Sequence, residues 1–141
     1  MKILAVDPGG TTEWALFYDG KLFMCDEAIG WYDVAFMLNR TLDVIVYEDF
    51  VLFPHKAAVQ IGSKMPAVGV IGVLQYTATL KDILIVAQPA SIKNVAKKKF
   101  DTSSIHTTSE HIKDAVLHGL YYIATTGTTT DKEGIAQFHR Q

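Results

Sequence analysis

One cysteine, Cys25, is all this chain carries, so neither an internal disulfide nor a cysteine-built zinc centre can form within it. That scarcity fits a reducing compartment. Basic residues are not in excess either. With 13 Lys and Arg against 15 Asp and Glu the formal net charge is −2, which excludes a general cationic coat for nucleic acid and leaves only local patches to meet phosphate. No apolar run is long enough to span a bilayer, and the first residues lack the pattern of a secretory signal. A soluble, cytoplasmic protein is the expectation. Internal repeats and low-complexity tracts are also missing. What is present is apolar: 49% of 141 residues are hydrophobic and 20% charged, enough for one domain with a substantial core.

The first stretch organises the rest. Lys2-Ile3-Leu4-Ala5-Val6 is an apolar run that ends in Asp7, then Pro8-Gly9-Gly10 gives a turn, and Trp14-Ala15-Leu16-Phe17-Tyr18 gives a second run. This reads as strand, tight turn and antiparallel strand. Asp19-Gly20 is a two-residue hairpin signal, and a third strand over 21–26 completes a meander. Trp31, Val34, Ala35 and Leu38 then fall on one helical face. The β-branched run over 43–47 ends in Glu48 and Asp49, as the first strand ended in Asp7. A strand after a helix implies a parallel neighbour of the first.

Between residues 50 and 65 periodicity dissolves into a connection with a short helical turn near 57–61. Pro66 opens a helix over 66–80, where Gly69 and Gly72 each cost about 1 kcal/mol of helix propensity, a cost that fits a backbone approaching closely from the same chain or from a second copy. A buried strand over 83–86 is broken by Gln88-Pro89, and a short helix runs into Lys97-Lys98-Lys99. Ser109 is placed to cap a last helix over 110–125 with Ile112, Ala115, Val116, Gly119, Leu120 and Ile123 as its apolar face. The domain therefore covers 1–126, followed by a polar tail over 127–141.

Three strands, helix, strand, loop, helix, strand and two helices is the order of a ribonuclease-H-like α/β fold, with a five-stranded mixed sheet of three antiparallel strands followed by two parallel ones. In such a sheet Asp7 and Glu48 end neighbouring strands, and the last helix brings His111 and Asp114 beside them. Three carboxylates and an imidazole converging in water suit a hard divalent cation, Mg²⁺ or Mn²⁺. Two such ions can flank a scissile phosphate.

Asp7-Pro8-Gly9, Glu48 after Val44-Ile45-Val46-Tyr47, Pro89-Ala90-Ser91-Ile92-Lys93, and His111-Ile112-Lys113-Asp114-Ala115 together resemble RuvC-type Holliday-junction resolvases, over nearly the whole chain. The short region between Glu48 and Pro66 resembles a compact, phage-type version. The resemblance implies a crossover junction endodeoxyribonuclease that cuts four-way DNA as a homodimer with Mg²⁺ or Mn²⁺, two ions per site, and Asp7, Glu48, His111 and Asp114 as catalytic metal ligands. It also implies Lys93 as a phosphate contact. Lys97, Lys98 and Lys99, with Lys56 and Lys64 on the connection, are further candidates for DNA phosphates, and Phe50 and Phe53 for stacking on unpaired bases. The helix over 66–80 is the candidate dimer interface. Asp7-Pro8-Gly9-Gly10-Thr11-Thr12 also resembles the first phosphate loop of actin-like sugar kinases, so an ATP- or phosphate-binding protein is an alternative, as is a non-catalytic DNA-binding relative.

Overall fold

Five strands form one mixed sheet in the computed structural model, which describes residues 1–107 and 109–127. They are β1 (Lys2–Asp7), β2 (Thr11–Tyr18), β3 (Lys21–Ile29), β4 (Val44–Glu48) and β5 (Leu84–Gln88), in the order β3-β2-β1-β4-β5. β1, β2 and β3 pair antiparallel, and β4 and β5 add on parallel to β1, as the sequence order requires. The helices are α1 (Gly30–Met37), α2 (Pro54–Ala57) with a 3-10 turn (Ala58–Gln60), α3 (Pro66–Lys81), α4 (Ile92–Lys97) and α5 (Glu110–Thr126). Among the described residues no helix is long and apolar enough to cross a membrane. The polar tail expected beyond Gly127 lies outside the described residues.

Both hairpins close as their sequences dictate. At Asp19 and Gly20 the backbone takes φ of 49° and 78°, the left-handed pair that a two-residue hairpin favours. Between β1 and β2, a Cβ at Gly9 would lie 2.6 Å from the Thr11 carbonyl oxygen, so the turn admits only glycine there without shifting. The buried Thr12 hydroxyl donates to the Gly9 carbonyl at 3.2 Å and pins the turn from inside.

Side-chain alternation splits the core into two layers. Leu4, Val6, Trp14, Leu16 and Ile45 face α1 and α3, whereas Ile3, Ala5, Ala15, Phe17, Val44 and Val46 face α4 and α5. Because α5 is covered on nearly every side, its buried set is wider than one stripe and includes Leu117, His118 and Tyr122. The Ser109 hydroxyl caps it by accepting from the Ile112 amide at 3.4 Å.

Three expectations need correction. α1 buries Val34 and Met37 within its span and Leu38 at its C-cap, whereas Trp31 is 61% exposed and Ala35 is exposed too, so the buried face is turned away from the expected stripe. β5 runs on to Gln88, since parallel pairing with Glu48 continues to that register and only Pro89 stops it. Among the described residues, nothing beyond the helix's own backbone comes within 4 Å of a Cβ built at Gly69 or Gly72, so no close approach among them explains those glycines.

Gly119, in contrast, is required. A Cβ there would lie 2.6 Å from Phe17 Cζ, and the Phe17 ring is fully buried. Gly119→Ala should destabilise the protein by about 1–3 kcal/mol in urea denaturation, an overpacking cost larger than the helix propensity gained. Combining it with Phe17→Leu should recover much of that stability; equal stability of Gly119→Ala and wild type would refute the contact.

Candidate active site

One row of the sheet carries the polar residues. Asp7 continues the face of Ile3 and Ala5, and Glu48 continues that of Val44 and Val46, so both carboxylates point toward α5 at the carboxyl ends of adjacent parallel strands. In register beside them stand Glu13 on β2, opposite Asp7, and Gln88 on β5, opposite Glu48. Asp7, Glu13 and Gln88 are all buried. α5 lays a stripe of His111, Asp114 and His118 across this row, spaced three and four residues apart as one helix face demands.

Asp7, His111 and Asp114 converge: each offers a ligand atom, and these atoms all lie within 4.8 Å of one another. His111 Nδ1 is 3.5 Å from Asp7 Oδ2, with the ring largely exposed. Glu48 stands at the margin of this group, held by other partners. Lys93 Nζ lies 3.2 Å from Glu48 Oε2 and 3.4 Å from Asp114 Oδ2, and His118 Nε2 lies 2.9 Å from Glu48 Oε2. On its far side His118 Nδ1 lies 2.6 Å from Gln88 Oε1. Lys97 Nζ approaches Asp114 Oδ1 to 3.2 Å, yet not along a hydrogen-bond direction, so that oxygen is buried without a hydrogen-bond partner.

The charges respond to this crowding. Burial lifts the Asp7 carboxyl above its ordinary value and Glu48 adds to the lift, while Lys93 and His111 pull it back only in part. Glu13 rises too, by burial first and Asp7 second. For Glu48 burial also works upward, but the His118 hydrogen bond and the Lys93 ammonium outweigh it and hold the carboxyl below its usual value. Burial opposes the Lys93 ammonium, and Glu48 and Asp114 overcome that, leaving its pKa raised.

A divalent cation fits these residues. The donors are hard oxygens and an imidazole, one carboxylate oxygen is orphaned, and a second carboxylate is lifted by burial and by the neighbouring Glu48. Ligands of one octahedral ion at about 2.1 Å stand about 3–4 Å apart, so the three groups need only a small inward movement.

The other expected site residues lie around this centre. Lys97, Lys98 and Lys99 are exposed and, with Lys113, line an open cleft of about 570 Å³ next to the acids. Lys56 and Lys64 are exposed on the connection before α3, where Phe53 stacks on His55 at 5.8 Å between ring centroids. Phe50 is half-buried and packs against the hydrophobic cluster that lies under α1 and α3. The turn expected of a phosphate loop is closed on itself, because the Thr12 hydroxyl is buried and spent on Gly9.

Sequence reading missed Glu13, Gln88 and His118. His118 continues the His111–Asp114 spacing by one further turn, and Gln88 ends its strand as Asp7 and Glu48 end theirs; those were the available signals.

Linkage fixes a sign for Asp7. An acid whose folded pKa is raised costs no stability below its unfolded value, near 3.8, and its full cost above the raised folded value. In chelator, Asp7→Asn should therefore melt higher than wild type at pH 7, and the advantage should close as pH falls toward that value. With Mn²⁺ added, wild type should gain in Tm while Asp7→Asn gains little. A variant that melts no higher in chelator at pH 7 would contradict the strained carboxylate.

No family model matches this chain, and no curated protein matches it. Among the solved structures that resemble it are two of RuvC. Thermus thermophilus RuvC in complex with a Holliday junction substrate has a TM-score of 0.62 at 14% identity, covering 91% of this chain and 97% of that one. Thermus thermophilus RuvC by itself gives a TM-score of 0.60 at 14% identity over 91% and 98% of the two chains. The chain thus has the fold of these RuvC structures, a ribonuclease-H-like mixed sheet flanked by helices.

Proposed function

We propose that this chain is a divalent-metal-dependent endonuclease that cuts branched DNA, four-way junctions foremost, in the manner of a crossover junction endodeoxyribonuclease. The observation that carries this reading is the convergence of Asp7, His111 and Asp114 at the carboxyl end of β1, in a fold shared with a protein solved on a Holliday junction. Asp7, His111, Asp114 and Glu48 would hold Mg²⁺ or Mn²⁺, two ions in all. Bound there, the ions supply Lewis acidity at both the attacking and the leaving oxygen of the phosphodiester.

The chain's own residues do the remaining work. Lys93 stays protonated between Glu48 and Asp114, balancing their charge and standing where its ammonium can meet a phosphate oxygen. Lys97 shares itself between Asp114 and the lysine-lined cleft, so that cleft is the path along which we run the DNA backbone. Phe53 and the neighbouring exposed Val51 and Leu52 face solvent on the other approach, with Lys56 and Lys64, as a surface for unpaired bases. The brevity of that connection supports a compact, phage-type form.

A symmetric junction offers two strands to cut, and a C₂ homodimer supplies two sites. Its interface is assigned to α3, whose outer face exposes Val68, Tyr76 and Leu80 around Gly69 and Gly72.

With four-way, fork, flap and linear duplex DNA in Mg²⁺ or Mn²⁺, wild type should cut the four-way junction best. Asp7→Asn and Asp114→Asn should lose cutting by several orders of magnitude and retain junction binding. Changing Lys97, Lys98 and Lys99 together to Ala should flatten the dependence of log affinity on log salt by up to about 0.9 for each phosphate no longer neutralised. Full cutting by Asp7→Asn would refute the centre, and an unchanged slope would move the DNA path to Lys56 and Lys64.

For the dimer, Gly72→Arg is a clean probe, since among the described residues nothing beyond the helix's own backbone lies within 4 Å of a Cβ there. Sedimentation should show wild type as a dimer at micromolar concentration and the variant as a folded monomer. A variant that remains dimeric would place the interface elsewhere.

A further inference from the structure

Behind Glu48, and outside the group of Asp7, His111 and Asp114, the protein buries a polar chain that simple packing does not call for. We infer that Gln88 and His118 form a buried positioning relay that fixes the Glu48 carboxylate for the cation. This rests on the metal-dependent reading above and adds two residues to it.

His118 is fully buried on α5, one turn beyond Asp114, between core residues Leu117 and Gly119. An apolar side chain would satisfy such a position at no desolvation cost, whereas an imidazole must find partners for both nitrogens. It finds both, at 2.6 Å and 2.9 Å, from residues 30 and 70 positions away in sequence. Gln88, only 6% exposed, contributes the first of them. The chain of contacts therefore ties β5 to α5 to β4 at the carboxyl end of the sheet.

The direction of the second bond follows from Glu48. A carboxylate that holds a cation is an acceptor only, so the 2.9 Å contact is a bond when His118 Nε2 presents its N–H. Gln88 can then pair with Nδ1 in either amide orientation. With its oxygen toward Nδ1 it accepts from a doubly protonated ring, and with its NH₂ there it donates to a neutral one. In both cases Nε2–H points at Glu48 Oε2. That oxygen is fixed, and Oε1, which among the described residues is met by Lys93 at 3.5 Å, remains for the cation. A glutamate without this anchor has three side-chain torsions to order before it can meet the cation.

The test is a Mn²⁺ titration of the full chain without DNA, read by electron paramagnetic resonance of the free ion, on wild type, Asp7→Asn, His118→Phe, His118→Gln and Gln88→Met, with metal-free melting as the fold control. Outer partners of metal ligands are worth about 10–100-fold in affinity, so His118→Phe should weaken Mn²⁺ binding by that much. His118→Gln, which still offers an N–H to Glu48, should regain most of it, and Gln88→Met should fall between. A folded His118→Phe with wild-type affinity, or a folded His118→Gln as weak as Phe, overturns the relay while the metal reading stands. Should His118→Phe not fold, Gln88→Met decides: weakened binding supports the relay and unchanged binding overturns it. If wild type binds no Mn²⁺, or Asp7→Asn binds as well as wild type, the metal reading itself falls and the relay with it.

Discussion

Carboxylates gathered at one end of the sheet repel one another, and most of the site is arranged around that repulsion. Asp7, Glu13, Glu48 and Asp114 lie on or against the same sheet row, three of them buried. Two like charges 4 Å apart cost about 4 kcal/mol at an effective dielectric of about 20, and burial adds the loss of hydration. Lys93, Lys97 and His118 offset part of this at Glu48 and Asp114, on the β4 and β5 side. Asp7 and Glu13 are lifted by burial first and by a neighbouring carboxylate second, with only part of that offset by nearby cations. A folded protein that tolerates such an imbalance is preorganised for a cation.

That arrangement survives because the scaffold beneath it is apolar and over-determined. Ile3, Ala5, Val44, Val46 and Phe17 pack under α5 without a polar interruption, and Gly119 lets the helix settle directly on the Phe17 ring. The close approach sets the height of α5 above the sheet, and so the reach of His111, Asp114 and His118 to the strand ends. A site made from three strand termini and a helix can be no tighter than this contact.

The two sides of the molecule divide the work. The face covered by α4 and α5 holds every residue of the candidate centre and the lysine-lined cleft. The opposite face, under α1 and α3, is plain hydrophobic packing, and its outer surface leaves Trp31, Tyr32, Phe36, Tyr76 and Leu80 exposed. Charge thus gathers on the face of α4 and α5, and exposed apolar surface on the face of α1 and α3.

Much of the plan was legible in the chain itself. The Asp19-Gly20 hairpin and the Ser109 cap follow from local signals, and the strands from apolar runs bounded by turn residues; the strand order and the nearness of Asp7, Glu48, His111 and Asp114 follow from the fold that this succession of elements matches. The face of α1, the length of β5 and the packing of Phe50 were not legible, because each depends on what an element meets across the fold. The same holds for the ties at Glu48. That Glu48 is an acid at a strand end is written in residues 44–48; that it is bound to Lys93 and His118, while Asp7, His111 and Asp114 close around a separate point, was decided only when α4 and α5 docked on the sheet. Sequence carries periodicity and chemical type along one dimension, whereas partners 30 to 70 residues apart are chosen by packing in three.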